Sequence, residues 1–177
     1  MISGLAVLPH FVDYEEEQFL LSQFCDSSQQ WQHSEGQRPT IQFGSRYDYA
    51  RRTLDVAAPI PTWLLPFCHR ISGTAFGSVP QQIIVNQYDV SDGIAPHIDH
   101  QTIFGPVVAS LNLASSTVLT LHKGHKSGHE VPVLLQPRTL LLLDAEARYE
   151  WFHEIKSERS LTADDLRVEK HKRYSIT

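Results

Sequence analysis

The stretch Val107–His122, VVASLNLASSTVLTLH, contains two short runs of β-branched residues and leucine. Runs of this kind recur from Gln81 onward, and turn-forming pairs such as Lys123-Gly124 and Gln136-Pro137 separate them. The predicted strands are Gln82–Tyr88, Val107–Leu113, Thr117–His122, Val131–Leu135, Thr139–Asp144, Arg148–His153 and Lys172–Thr177. Several short strands at this spacing predict a β-sandwich or barrel.

The part of the chain before Gln81 has a different pattern. Asp13 and Glu16 have capping-box spacing, and apolar residues recur at helical intervals from Tyr14 to about Cys25, which predicts a helix. Pro59 opens a second helical region that ends near Gly73. We therefore expect one domain over residues 1–177, with a helical part over about 1–80 and a β core over about 81–177.

Composition limits the classes of protein that this chain can represent. The 177 residues are 41% hydrophobic and 20% charged, which is ordinary for a globular domain. No apolar run is long enough to cross a membrane, and the first residues lack the basic start of a secretory signal. Cys25 and Cys68 do not make a disulfide framework. We expect a cytoplasmic protein, or a nuclear one in a eukaryote, that is not secreted.

The charge is unevenly distributed along the chain. A net charge of −5 argues against a bulk electrostatic grip on nucleic acid. However, no lysine or arginine precedes Arg38, and arginines and tyrosines then alternate up to Arg52. A second basic stretch covers Lys170–Arg173. One surface could therefore be positive while the rest is acidic.

The motif His97-Ile-Asp99 suggests a metal site. Residues two apart in a strand point to the same face, so His97 and Asp99 can share one ion, and His153 could reach it from another strand. Two histidines and one carboxylate are the ligand set of non-haem Fe(II) oxygenases and leave three positions open. The alternative is that His97-x-Asp99 is a surface turn and His153 a packing residue. Four other histidines compete for the role: His100, His122, His125 and His129.

The last predicted strand carries a row of polar residues. Arg173, Ser175 and Thr177 fall on one face, and Asn86 and Tyr88 share a face of an earlier strand. A guanidinium in a barrel interior suits a carboxylate, which it can bind through two hydrogen bonds. The alternative is a basic, solvated segment paired with a routine strand.

Taken together, these motifs resemble the AlkB-like family of Fe(II)- and 2-oxoglutarate-dependent dioxygenases. The family pattern is Asn-x-Tyr, His-x-Asp, a distal histidine and Arg-x-(Ser/Asn)-x-Thr, and all four parts occur here in order. The resemblance implies a mainly β fold with flanking α-helices, a double-stranded β-helix (jelly roll). It implies Fe(II), 2-oxoglutarate and O2 as cofactor and co-substrates. The implied metal ligands are His97, Asp99 and His153, and the implied 2-oxoglutarate ligands are Asn86, Tyr88, Arg173 and Ser175.

The same resemblance implies a monomeric enzyme, not bound to a membrane, that demethylates or hydroxylates N-alkylated bases in single-stranded DNA or RNA. Residues 38–52, here called the lid segment, would contact the nucleotide. The candidate substrate residues are Arg46, Tyr47, Tyr49, Arg51, Arg52 and Gln101. Two other functions remain open: a related dioxygenase acting on a protein or small molecule, and a catalytically silent jelly-roll binding module.

Three positions depart from the family pattern. A second arginine, common six residues after the first, would fall at position 179, beyond Thr177. Glu154 follows the distal histidine where glycine is usual. Gln101 stands where some DNA-repair members carry an acid that helps read the base.

Overall fold

A computed structural model describes residues 2–25, 31–33, 38–48, 53–124 and 130–177, with the backbone alone at 46–48, 53 and 54. The helices are α1 (Tyr14–Cys25), α2 (Leu65–Ser72, preceded by a 3-10 turn at Thr62–Leu64) and α3 (Ala145–Tyr149). The strands are β1 (Leu5–Leu8), β2 (Thr40–Phe43), β3 (Ser45–Asp48), β4 (Thr53–Val56), β5 (Ile83–Tyr88), β6 (Ile94–His97), β7 (Val108–Leu113), β8 (Thr117–Lys123), β9 (Glu130–Leu135), β10 (Thr139–Leu143), β11 (Trp151–Ile155), β12 (Ser160–Ala163), β13 (Leu166–Glu169) and β14 (Arg173–Ile176). Among the described helices, none is both long and apolar enough to cross a membrane.

Two antiparallel sheets form the body of the fold. The major sheet has the strand order β1-β10-β7-β14-β5-β2, and the minor sheet has the order β6-β11-β8-β9. The hairpins β3–β4 and β12–β13 each form a separate two-stranded sheet. The predicted mainly β jelly roll with flanking helices is therefore confirmed. β1 and β2, which precede residue 81, form the two edges of the major sheet.

The leucine run of β10 shows where the core lies. Successive strand residues point to opposite faces. Leu140 and Leu142 pack in a cluster with α1 and α2, whereas Leu141 and Leu143 pack in a second cluster with β8 and β11. The strand is buried on both faces, which explains why it has no polar alternation. The helices thus cover the outer face of the major sheet, and its inner face turns toward the minor sheet.

Helix α1 begins as its sequence predicts. The backbone N–H of Asp13 donates to Glu16 Oε2 at 3.0 Å, and that of Glu16 donates to Asp13 Oδ1 at 2.8 Å, which completes the capping box. Leu20 and Phe24, one turn apart, are buried against the major sheet. Glu16 also accepts a hydrogen bond from Arg70 of α2 at 2.9 Å, so the two helices are tied together on the outer face.

One predicted strand was partly wrong. Arg148–His153 was expected to be extended, but its first two residues belong to α3 and the strand β11 begins at Trp151. The carboxylate of Asp144 accepts a hydrogen bond from the backbone N–H of Ala145 at 2.6 Å and caps this short helix. Strands β4, β12 and β13 were not predicted. Each has only four residues, too few for a clear alternation.

Candidate metal and co-substrate site

The predicted metal ligands meet at one end of the minor sheet. His97 ends β6 and lies opposite His153 of β11, with ring centroids 4.2 Å apart. Asp99 lies two residues past the end of β6, so it reaches the site from a loop and not, as predicted, from the strand. Its two carboxylate oxygens lie 3.7 Å from His97 Nε2 and 3.8 Å from His153 Nε2. Ligand atoms of the three side chains all lie within 4.8 Å of one another.

These distances suit a shared metal ion better than a set of hydrogen bonds. Separations of 3.7 and 3.8 Å are too long for direct N–H···O bonds. His97 Nδ1 lies 2.9 Å from the carbonyl oxygen of Ala95, a contact that fixes the ring and leaves Nε2 free to bind an ion. His153 Nδ1 is buried without a hydrogen-bond partner. Two imidazoles and one carboxylate, with room for further ligands, fit Fe(II).

The electrostatics keep two of the three ligands, Asp99 and His153, in the forms that bind metal. Burial lowers the pKa of His153 to about 4, so this ring is neutral at physiological pH. Burial alone would raise the pKa of Asp99, but His97, His153 and Arg148 outweigh it and hold the pKa below its usual value. Burial also opposes protonation of His97, but Asp99 and the carbonyl of Ala95 outweigh it and raise the pKa of that ring. At physiological pH the site therefore contains the ionised carboxylate of Asp99 and the neutral imidazole of His153.

Arg148 holds the loop that carries Asp99. Its side chain is 2% exposed and donates to the backbone carbonyls of Asp99 at 2.9 Å, His100 at 3.0 Å and Gly105 at 3.3 Å. Carbonyl groups of an irregular loop need such donors when water cannot reach them. Arg148 comes from α3, immediately before the strand that carries His153. One helix thus links the positions of two metal ligands.

A second polar group lies on the inner face of the major sheet. Arg173 of β14 pairs with Tyr88 of β5, and Ser175 pairs with Asn86. The Arg173 guanidinium carbon lies 3.9 Å from the centre of the Tyr88 ring, and its Nη1 donates to Asn112 Oδ1 at 2.9 Å. Asn86 Nδ2 donates to Ser175 Oγ at 3.3 Å. The predicted sharing of faces along β5 and β14 is confirmed.

The environment of Arg173 is that of a binding site for an anion. The side chain is 5% exposed, and burial lowers its pKa. Among the described carboxylates, none forms an ion pair with it. A buried charge without a counter-ion is costly, so a carboxylate ligand would complete the site. The donors present therefore fit one end of 2-oxoglutarate.

Both groups line one open cavity of about 1730 Å³. His97, Asp99 and His153 lie on its minor-sheet side, and the group around Arg173 lies on its major-sheet side. Arg38, which precedes β2, also lines it. A molecule in this cavity could touch the metal ligands and the buried arginine together.

The proposed substrate residues are only partly within the described structure. Arg46 and Tyr47 lie in β3, where the backbone alone is described, and Tyr49, Arg51 and Arg52 lie outside the described residues. Gln101 is exposed, donates to the carbonyl of Tyr149 at 3.0 Å and is not among the residues that line the cavity.

Glu154 points away from the metal group. Its carboxylate lies 2.8 Å from His122 Nε2 on the outer face of the minor sheet, and His122 lies 4.0 Å from Glu130. These three side chains could together hold a metal, but Glu130 is paired with Lys156 at 2.9 Å. β11 continues through Ile155, but its pairing with β6 shifts register between His153 and Ile155, at the position of Glu154. Among the rival histidines, His100 lies in the Arg148-bound loop, and His125 and His129 lie outside the described residues.

Sequence reasoning missed Asn112 and Arg148. Asn112 is 1% exposed and donates to the carbonyls of Ser115, Leu135 and Gln136 while it accepts from Arg173. The available signal was an asparagine between two leucines of a strand, a polar group that must find partners inside. Arg148 gave no comparable signal, because its partners are backbone carbonyls.

Comparison with known proteins agrees with this geometry. The sequence profile of the 2OG-Fe(II) oxygenase superfamily matches residues 4–177. The chain is 32% identical, over 86% of its length, to tRNA (carboxymethyluridine(34)-5-O)-methyltransferase alkbh8 of Xenopus tropicalis, of which it spans 25%. It is 30% identical, over 87% of its length, to the alkylated DNA repair protein ALKBH8 homolog of Arabidopsis thaliana, of which it spans 51%. The solved structure of OsALKBH1 superposes with a TM-score of 0.70 over 98% of this chain and 95% of that one, at 15% identity. This chain belongs to the 2OG-Fe(II) oxygenase superfamily as an AlkB-like member, and its cofactor and co-substrates are Fe(II), 2-oxoglutarate and O2.

Proposed function

We propose that this domain oxidises N-alkylated bases in single-stranded DNA or RNA. The alkyl carbon next to nitrogen is hydroxylated, and the N–C bond of the product then breaks to release an aldehyde. The observation that carries this proposal is the open cavity, which joins the metal group to Arg173. At about 1730 Å³ it exceeds the 300–1,000 Å³ typical of small-molecule sites. After 2-oxoglutarate is bound, space remains for a base.

In this proposal the two halves of the site have separate tasks. His97, Asp99 and His153 hold Fe(II), which supplies, with 2-oxoglutarate and O2, the oxidising power for the C–H bond. Arg173 binds a carboxylate of 2-oxoglutarate, and Asn86, Tyr88 and Ser175 orient it. Arg148 keeps Asp99 aimed at the ion through the loop carbonyls. The chain's contribution is therefore orientation and control of access.

The substrate class rests on the relatives and on the lid segment. The names of two relatives refer to tRNA and to the repair of alkylated DNA. The chain spans about a quarter of the Xenopus relative, so the methyltransferase activity in that name is not carried over. Because the net charge is −5, nucleic acid must bind to a local positive surface, and the arginines of residues 38–52 can form one. A target base must be unpaired or flipped into the cavity.

The remaining assignments are part of the same proposal. The lid residues Arg46, Tyr47, Tyr49, Arg51 and Arg52 contact the nucleotide. Gln101 would have to release the carbonyl of Tyr149 to do so. Residues 1–177 act as one domain. Residues 1–80 supply helices, the lid segment and the edge strands β1 and β2, which corrects the predicted boundary, and residues 81–177 supply the remaining strands of the jelly-roll core. The domain works as a monomer in the cytoplasm or, in a eukaryote, in the nucleus.

The test is a turnover assay with matched substrates. The protein is loaded with Fe(II) without oxygen and then exposed to air and 2-oxoglutarate. Single-stranded DNA or RNA oligonucleotides are added, with or without N-methylated bases in the same sequence. We expect succinate release that rises with the methylated oligonucleotide and is matched by aldehyde. His97→Ala and Asp99→Ala should abolish both. Succinate release indifferent to every oligonucleotide would refute a nucleic-acid substrate and leave a protein or small molecule.

Charge reversal tests the lid assignment separately. Arg46→Glu, Arg51→Glu and Arg52→Glu should weaken turnover of the methylated oligonucleotide without changing the uncoupled turnover of 2-oxoglutarate. Arg167→Glu is the matched control, because Arg167 is 74% exposed and lies in the β12–β13 hairpin. Equal effects of the lid and control variants would contradict a substrate-binding role for the lid segment.

A further inference from the structure

Two arginines lie against one tyrosine in the cavity. The guanidinium carbon of Arg173 lies 3.9 Å from the centre of the Tyr88 ring, and that of Arg38 lies 5.2 Å from the same centre. Arg38 Nε donates to Asn86 Oδ1 at 2.9 Å. Asn86 in turn donates to Ser175, so Arg38 joins the group of side chains already placed around 2-oxoglutarate. Arg38 brings one end of the lid segment to this group.

The two guanidinium groups bring two positive charges to this part of the cavity. Among the described residues, no carboxylate forms an ion pair with Arg38 or Arg173. The acidic residues that line the cavity are Asp89, Asp92 and Asp99. Asp99 faces the two metal-binding histidines, and Asp92 accepts a hydrogen bond from the backbone N–H of Asp89. Like charges at this range repel, and an anion between or beside them would offset the repulsion.

Arg38 also shares the cavity with the metal end of the site. It lines the same open space as His97, Asp99 and His153. Arg173 is fixed deep in the major sheet by Asn112, whereas Arg38 enters from the edge strand β2. The two guanidinium groups therefore approach the cavity from different strands and can serve the two ends of one dianion.

We propose that Arg38 binds the carboxylate that 2-oxoglutarate presents beside the metal, while Arg173 binds the distal carboxylate. This inference rests on the assignment of Arg173 made above. Arg38 would meet the anion through charge-assisted N–H···O bonds while its Nε remains on Asn86.

Binding measurements without turnover test this role. The protein is loaded with Mn(II) in the absence of oxygen and titrated with 2-oxoglutarate and with 2-oxopentanoate, which has the same chain length but no distal carboxylate. Calorimetry gives both dissociation constants for the wild type, Arg38→Gln, Arg173→Gln and the exposed control Arg167→Gln. Thermal melting and the Mn(II) stoichiometry show that each variant is folded and metal-loaded.

We expect Arg38→Gln to weaken both ligands by a similar factor, about 10- to 100-fold, the usual effect of losing a charged hydrogen-bond partner. Arg173→Gln should weaken 2-oxoglutarate alone, because 2-oxopentanoate lacks its partner group. A change below about threefold in Arg38→Gln would overturn the proposal. So would a loss confined to 2-oxoglutarate, which would place Arg38 at the distal carboxylate. The titration uses no nucleic acid, so its result is independent of the proposed substrate.

Discussion

Replacement of Arg148 by methionine should weaken metal binding although Arg148 does not touch the metal. Methionine keeps much of the side-chain volume and removes all the donors. Two of the lost hydrogen bonds, to the carbonyls of Asp99 and His100, have good lengths of 2.9 and 3.0 Å. Hydrogen bonds from charged groups contribute about 1.5 to 3 kcal/mol each, so the pair is worth about 3 to 6 kcal/mol.

Part of this free energy should appear in the dissociation constant of the metal. Without Arg148, the loop from Asp99 to Gly105 loses its anchor, and the ion must order the loop when it binds. If one third of the lost hydrogen-bond free energy, about 1 to 2 kcal/mol, weakens metal binding, the dissociation constant of the metal rises about 5- to 30-fold. The rest should lower the free energy of unfolding of the metal-free protein.

The assay combines a metal titration with urea unfolding. Co(II) is titrated into the wild type, Arg148→Met, Arg148→Lys and Arg167→Met under one set of conditions. Arg148→Lys retains the charge and should fall between the wild type and Arg148→Met, and Arg167→Met should match the wild type. If Arg148→Met unfolds at a lower urea concentration but its dissociation constant for Co(II) stays within twofold of the wild-type value, Arg148 does not position Asp99 for metal binding.

Three further variants test other parts of the fold. Asn112→Ala should lower the free energy of unfolding by about 2 to 4 kcal/mol, because it removes bonds to the buried carbonyls of Ser115 and Leu135 and to the partly buried carbonyl of Gln136, and should weaken 2-oxoglutarate binding; an unchanged free energy of unfolding in urea would contradict this. The hydrogen bond from Arg70 lowers the pKa of Glu16, so the pair stabilises the protein above the ordinary pKa of glutamate and this stability is lost as pH falls through the lowered pKa. Melting curves should therefore separate the wild type from Glu16→Gln at pH 7 and converge in acid, and a separation that persists in acid would exclude the ion pair. Gly44 has φ +78°, and a Cβ there would lie 2.1 Å from the carbonyl oxygen of Gln81, so Gly44→Ala should cost about 2 kcal/mol or more. Gly105→Ala, with no atom within 4 Å of its Cβ, is the control, and equal melting temperatures for the two variants would refute the argument.

Regular alternation made much of the fold predictable. The period-two pattern placed Asn86 with Tyr88 and Arg173 with Ser175, and the structure pairs these same residues across β5 and β14. The capping box fixed the start of α1 for the same reason, since its hydrogen bonds lie within four residues. Local rules succeed where the partners are local.

The missed features depend on partners that are distant in the sequence. Arg148 reads as part of an aromatic strand, and only its bonds to carbonyls some 43 to 49 residues earlier show its role. Arg38 lies 48 residues from Asn86, and its place in the site follows from β2 joining the edge of the major sheet. Neither spacing nor composition encodes such contacts, because they arise only when the sheets assemble.

The position of β14 has a consequence for how the protein is made. It is the last strand in chain order, yet it lies between β5 and β7, about 60 to 90 residues earlier in the chain. Until residues 173–176 have left the ribosome, both of those strands keep an open edge that can pair with another chain. Completion of the sheet also delivers Arg173 to the cavity. Nascent chains should therefore need protection from aggregation until β14 has emerged, and should gain co-substrate binding only when β14 pairs with β5 and β7.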